Sequence, residues 1–207
     1  MCVAGCYSQN LFAVGASRPQ RGFTSQATLF LASCEPLGIG YPDLCRWLQD
    51  ESWRFPAASQ HTGKQLYRIF DHYRNKPSEE SHHVRASCAE LLGLYVLLRH
   101  FAETEVARNA EIQNELNSFQ SLCTCIDLIL AAKWRLADPN EVAPQLERAS
   151  ARHLQLFQVA YGPDAVKPKH HWQLDMCRQI PRDGMILDAF IIERIHLQVK
   201  ATGPTFL

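Results

Sequence analysis

The sequence predicts an all-α protein: an antiparallel array of long helices behind a loop-rich or poorly ordered N-terminal arm. Three observations carry this expectation. Apolar residues recur every three or four positions over 84–106, 111–134 and 142–160, each series drawing one stripe down a long helix. Start and stop residues bracket the third series, with Asp138 and Pro139 before it and Gly162-Pro163 after it. No obvious series alternates apolar and polar residues as a half-buried strand does. The expected organisation is an arm over 1–40, a helical domain over 41–201 and a tail over 202–207.

The arm is set apart by composition. Residues 1–34 contain no Asp or Glu, but carry Arg18, Arg21 and several Ser and Thr, a balance similar to that of an organellar transit segment. A poorly ordered arm, or a short strand pair through "NLFAV" and "TLFLA", fits the same residues. "CEPLGIGYP", Cys34 to Pro42, reads as a loop because Gly and Pro punctuate it.

Helical patterning begins at Tyr41. In "PDLCRWLQDESW", Pro42 suits a first helical turn, and Leu44, Trp47 and Leu48 share a face. "RFPAAS" breaks that helix, and "TGKQLYRIFDHYRNK" resumes the spacing through Leu66, Ile69, Phe70 and Tyr73 until Pro77. The first long series is Val84, Cys88, Leu91, Tyr95, Leu98 and Ala102; the second is Ile112, Leu116, Phe119, Cys123, Ile126 and Leu130. A break at Arg108 to Ala110 would let these two pair antiparallel. The third helix has Asp138 as cap and Glu141 completing a capping box. Its stripe is Val142, Leu146, Ala149, His153, Leu156, Phe157 and Ala160. Pro144 lies beyond the first turn, so the helix is expected to kink there or to begin there. His153 sits on the stripe, where a core histidine is the plainer expectation than a ligand. Further on, "KHHWQLDMCRQI" reads as a short helix, "PRDG" as a turn and "MILDAFIIERIHLQVKA" as the last helix.

Composition narrows the function classes. The chain has 207 residues, 46% of them hydrophobic, enough for a single real core. Its 21 basic and 21 acidic residues cancel, so any contact with nucleic acid has to come from a local patch. No run reaches the roughly 18 apolar residues of a membrane span, and no membrane partner is expected. Eight irregularly spaced cysteines with no secretory signal before them read as reduced thiols of an intracellular protein. Cys123 and Cys125 diverge by about 200° on a helix and read as core residues, not as a ligand pair.

Metal-capable and cationic side chains gather near the C-terminus. His171 and Asp175 stand at i and i+4, on one helix face, where they could share zinc with His170 as helper. The same spacing suits a hydrogen-bonded surface pair, which spacing alone favours. Glu193 interrupts the apolar run of "FIIERIHL" and is followed by Arg194, His196 and Lys200. A carboxylate there could hold a catalytic metal beside a phosphodiester, or could pair with Arg194 or Lys200 on a solvated face. The chain contains no phosphate-binding glycine loop, no dinucleotide fingerprint and no nucleophile elbow.

The stretch "KPKHHW", a Gly about a dozen residues later and then "FIIERIHLQVK" resembles the C-terminal part of transposon-derived DDE transposases of the CACTA and Kyakuja-Dileera-Zisupton kind. "LCTCIDLIL", "LQLFQVAYGP" and "YPDLCRWLQDESWRFP" precede it in the order that family shows, so the resemblance extends over residues 30–200. Its specific part is Lys167 to Lys200. The resemblance implies an RNase H-like nuclease with a helical insertion, in which Glu193 is the last of three metal-binding acids. It further implies that His171 is the first of a zinc-binding histidine pair, with Asp175 where the second His is usual. Lys167, Lys169, Arg194 and Lys200 become DNA-contacting cations, and the nucleus the expected location. The two earlier acids belong to strands of the nuclease core, and this chain lacks an obvious strand series. The expectation is a truncated or domesticated transposase-derived helical protein, non-catalytic alone, with weak binding to DNA or to a catalytic transposase subunit. Magnesium enters only if a catalytic half is supplied. The alternative is a helical interaction or assembly module with an N-terminal targeting or docking segment.

Overall fold

A computed structural model describes residues 23–50, 65–70, 88–166, 174, 177–178 and 180–183. Five α-helices are defined among them: α1 Phe23–Cys34, α2 Tyr41–Leu48, α3 Cys88–Phe101, α4 Gln113–Lys133 and α5 Pro139–Tyr161. Short 3₁₀ turns at Glu35–Leu37, Leu66–Phe70, Ala110–Ile112 and Pro163–Ala165 join or flank them. No strand occurs among the described residues, and the fold class is all-α.

α4 and α5 form the centre. Only five residues, Trp134 to Asp138, separate them, which makes them antiparallel neighbours. The side-chain pairs Ser121–His153 and Cys125–Ser150 confirm the direction, since one number rises as the other falls. α4 buries Leu116, Phe119, Leu122, Cys123, Ile126, Ile129 and Leu130; α5 buries Val142, Leu146, His153 and Phe157. The divergence of Cys123 and Cys125 holds. Both are fully buried free thiols; Cys125 meets Ser150 of α5, and burial pushes the Cys123 thiol up to about 12.

The turn between α4 and α5 closes in a Schellman motif. Leu136 N–H donates to Ala131 C=O at 2.8 Å and Arg135 N–H to Ala132 C=O at 3.2 Å. The motif needs a left-handed residue, and Arg135 supplies it at φ 55° where Gly is usual. α5 starts at Pro139, with the Asp138 carboxylate accepting from Asn140 N–H at 2.8 Å. Pro144 neither starts nor stops this helix. Its missing N–H would leave the carbonyl of Asn140, four residues back, without an intrahelical partner. Asn140 is exposed, so water can take that role.

Of the arm expected over 1–40, residues 1–22 lie outside the described residues, and Phe23–Cys34 is helix. Ala27, Phe30, Leu31 and Cys34 recur at helical spacing, and all four are buried. Phe30 stacks on Phe119 of α4 with ring centroids 4.6 Å apart. Gln26 reaches His153 of α5, so α1 lies against α4 with a polar contact to α5. The strand considered for "TLFLA" is therefore excluded. Its β-branched and aromatic residues lie within one turn of a helix that finds a hydrophobic groove to fill.

α2 starts where Gly40 N–H donates to the Asp43 carboxylate at 2.9 Å, which holds that carboxyl below its usual range. Leu44 and Leu48 are buried, and Trp47 meets Phe101 edge-on at 5.4 Å. Tyr41 stacks on Phe70, and the Cys45 thiol donates to Tyr67 C=O at 3.4 Å, docking the 66–70 turn. α3 contributes Leu94, Tyr95, Leu98 and Phe101 to the core. It continues through a π-helical turn at Ala102–Val106 that buries Ala102 and Val106. At the C-terminal side, Cys177 and Ile180 are buried, and the backbone is helical at 180–183. Helix thus continues through Pro181 where "PRDG" was expected to begin a turn.

Candidate functional site: a polar groove over the central helix

A groove of about 550 Å³ opens between α3, α4 and α5. α4 is its floor: Asn117, Gln120, Ser121 and Thr124 recur at helical spacing on the one stripe that the core leaves uncovered. α3 and its π turn form one wall with Arg99 and Glu103. α5 forms the other with Arg148, Ala149, Arg152 and Leu156.

The two walls differ electrostatically. Arg99 is pinned on its own side: its Nε donates to Glu103 at 2.9 Å, and its guanidinium also pairs with Asp127 of α4. Asp127 in turn accepts from the Tyr95 hydroxyl at 2.8 Å, and burial together with that bond pushes the phenol up. Arg148 and Arg152, one turn apart on α5, have neither an ion pair nor a hydrogen bond among the described residues. Among the described residues Arg99 is offset by Glu103 and Asp127, so the uncompensated positive charge at the groove is that of Arg148 and Arg152 on the α5 wall.

Beneath Ser121 lies a buried hydrogen-bond chain. His153, 1% exposed, sits between Gln26 Nε2 at 3.1 Å from its Nε2 and Ser121 Oγ at 3.0 Å from its Nδ1. Ser121 Oγ donates to Ser118 C=O at 2.7 Å. Since a hydroxyl has one proton, His153 Nδ1–H donates to Ser121 and its Nε2 accepts from Gln26. That tautomer is the wrong one for drawing a proton from Ser121, so the trio fixes the groove floor and does not activate a nucleophile. It also settles His153 as a core residue. Among the described residues two buried side-chain atoms, Gln26 Oε1 and Ser118 Oγ, have no hydrogen-bond partner.

Lys167, Lys169, His170, His171, Asp175, Glu193, Arg194 and Lys200 lie outside the described residues. Among the described residues no group of three or more His, Cys, Asp or Glu side chains could hold a metal ion. None of their helices is long and apolar enough to cross a membrane. The groove was not among the residues singled out from sequence. Its signals were the polar stripe 117–124 on an otherwise apolar helix and the Arg148–Arg152 pair at i, i+4.

Comparison with known proteins finds no match for the chain, whether among family models, curated proteins or solved structures.

Proposed function

We propose that the protein is a helical binding module of transposase-derived origin, working by contact with DNA or a protein partner and not cleaving DNA by itself. The observation that carries the binding reading is the polar groove, with its positive charge gathered on one wall. The origin, a nuclear location and DNA as the partner are supported by the resemblance over Lys167–Lys200 alone. Two-metal phosphodiester cleavage needs several carboxylates holding ions about 3.5–4 Å apart. Glu193 is the one residue the resemblance offers, and a catalytic subunit in trans would have to supply the others. Zinc at His171, with Asp175 or His170, belongs to the same reading. Any transit segment that is cleaved off would have to end before α1, which is part of the core.

The test is a salt series of duplex binding by fluorescence anisotropy, with plasmid nicking in magnesium or manganese. Binding that weakens linearly in log–log salt, with no nicking by wild type, is the expected result. Nicking by wild type that Glu193→Gln abolishes would overturn the non-catalytic reading. One observation favours the assembly-module alternative. Trp134 and Leu136, 58% and 74% exposed, stand together at the tip of the α4–α5 hairpin. Absence of duplex binding even at low salt, with self-association lost in Trp134→Ser, would put that reading first.

A further inference from the structure

We propose that the groove between α3, α4 and α5 seats the terminal phosphate of a small organic molecule, a phosphate monoester of about nucleotide size. The proposal rests on the groove being the binding face, but not on DNA being the partner.

The donors come first. Arg148 and Arg152 are at i and i+4 on α5, so both guanidinium groups rise from one side of the helix. Like charges at that spacing repel, and the described residues provide neither with a counter-charge. An anion lodged between them relieves the repulsion and can accept from both forks. The floor adds neutral donors. Asn117 Oδ1 already accepts from Gln113 Nε2 at 3.0 Å, which leaves the Asn117 amide N–H groups unspent. The Gln120 amide also lines the groove. Ser121 and Thr124 spend their protons on the carbonyls of Ser118 and Gln120, so they contribute shape and not donation.

The charge pattern selects a single phosphate. The unneutralised charge spans one turn of α5, about 6 Å of helix axis, and stops there. The facing wall ends in Glu103, which repels a second anionic group. A monoester needs only the α5 wall and can turn the rest of its structure toward Leu156 and Ala149. The volume of about 550 Å³ lies well within the range of small-ligand sites, roughly 300–1,000 Å³. The floor is fixed before the ligand arrives, because Ser121 is tied to His153 and through it to Gln26 of α1.

The experiment is calorimetric titration of the full chain with AMP, adenosine and inorganic phosphate, beside anisotropy with a duplex oligonucleotide. AMP and inorganic phosphate should bind and adenosine should not. Arg148→Gln and Arg152→Gln should each weaken AMP about tenfold or more, as expected for losing a charged hydrogen bond. Arg46→Gln, on α2 and not among the groove-lining residues, serves as the control. Unchanged circular dichroism in the two groove variants shows that the fold is kept. Failure of wild type to bind AMP or phosphate, or binding that both variants leave intact, overturns the proposal. Duplex binding without AMP binding would sink the phosphate seat and leave the DNA reading standing. AMP binding without duplex binding would do the reverse.

Discussion

His153 shows how a single polar residue can be indispensable to a core. Both ring nitrogens are engaged, and the ring is sealed from solvent. Truncation removes a ring's worth of packing and strips a partner from both Gln26 and Ser121. His153→Ala should therefore cost about 3 kcal/mol in urea denaturation. Ser118 is the opposite case. Its hydroxyl is buried with no hydrogen-bond partner, so it contributes desolvation cost and nothing in return. Ser118→Ala should stabilise by about 1 kcal/mol, visible as a higher denaturation midpoint at unchanged slope. A loss of stability there would mean that Ser118 has a partner, such as an ordered water. His153 was legible from sequence as a stripe residue, but its partner Gln26 was not, since 127 positions separate them.

Among the elements, the turn between α4 and α5 carries a strain that sequence pattern did not announce. The Schellman motif places Arg135 at φ 55°, a region that costs an L-residue with a Cβ roughly 1–2 kcal/mol. Arg135→Gly relieves this, less the entropy that Gly adds to the unfolded chain, and should stabilise by about 0.5–1 kcal/mol. The checking measurement is the thermal midpoint. A lower midpoint would show that the arginine side chain compensates for its backbone. α3, α4 and α5 were legible because each buries one stripe at helical spacing, and α5 also because Asp138-Pro139 and Gly162-Pro163 mark its ends. α1 carries the same signal in Ala27, Phe30, Leu31 and Cys34. There it was overshadowed by the acid-free composition and the β-forming residues of "TLFLA".

For the whole molecule, the question is whether α1 is detachable. Phe30 is fully buried and stacked on Phe119 in the centre of α4. Phe30→Ala should destabilise the protein by about 3–5 kcal/mol, and the loss should appear in the same cooperative transition as the rest of the chain. A targeting or docking segment would lose far less, and a separate transition for α1 would show that it folds apart from the hairpin. Helices α1, α4 and α5 thus share one core, and the groove sits on the side of α4 that α1 leaves open.

Local spacing and end residues were enough to specify the all-α class, the three principal helices and the break between the first two. Tertiary structure decided three other things. It made α1 part of the core, because a short apolar stripe becomes a stable helix only when a partner surface covers it. It paired Gln26, Ser121 and His153, because hydrogen bonds between distant positions leave no periodic trace. It opened the groove, because the polar stripe of α4 acquires walls only when α3 and α5 pack at either side of it, bringing Arg148 and Arg152 over Asn117 and Gln120.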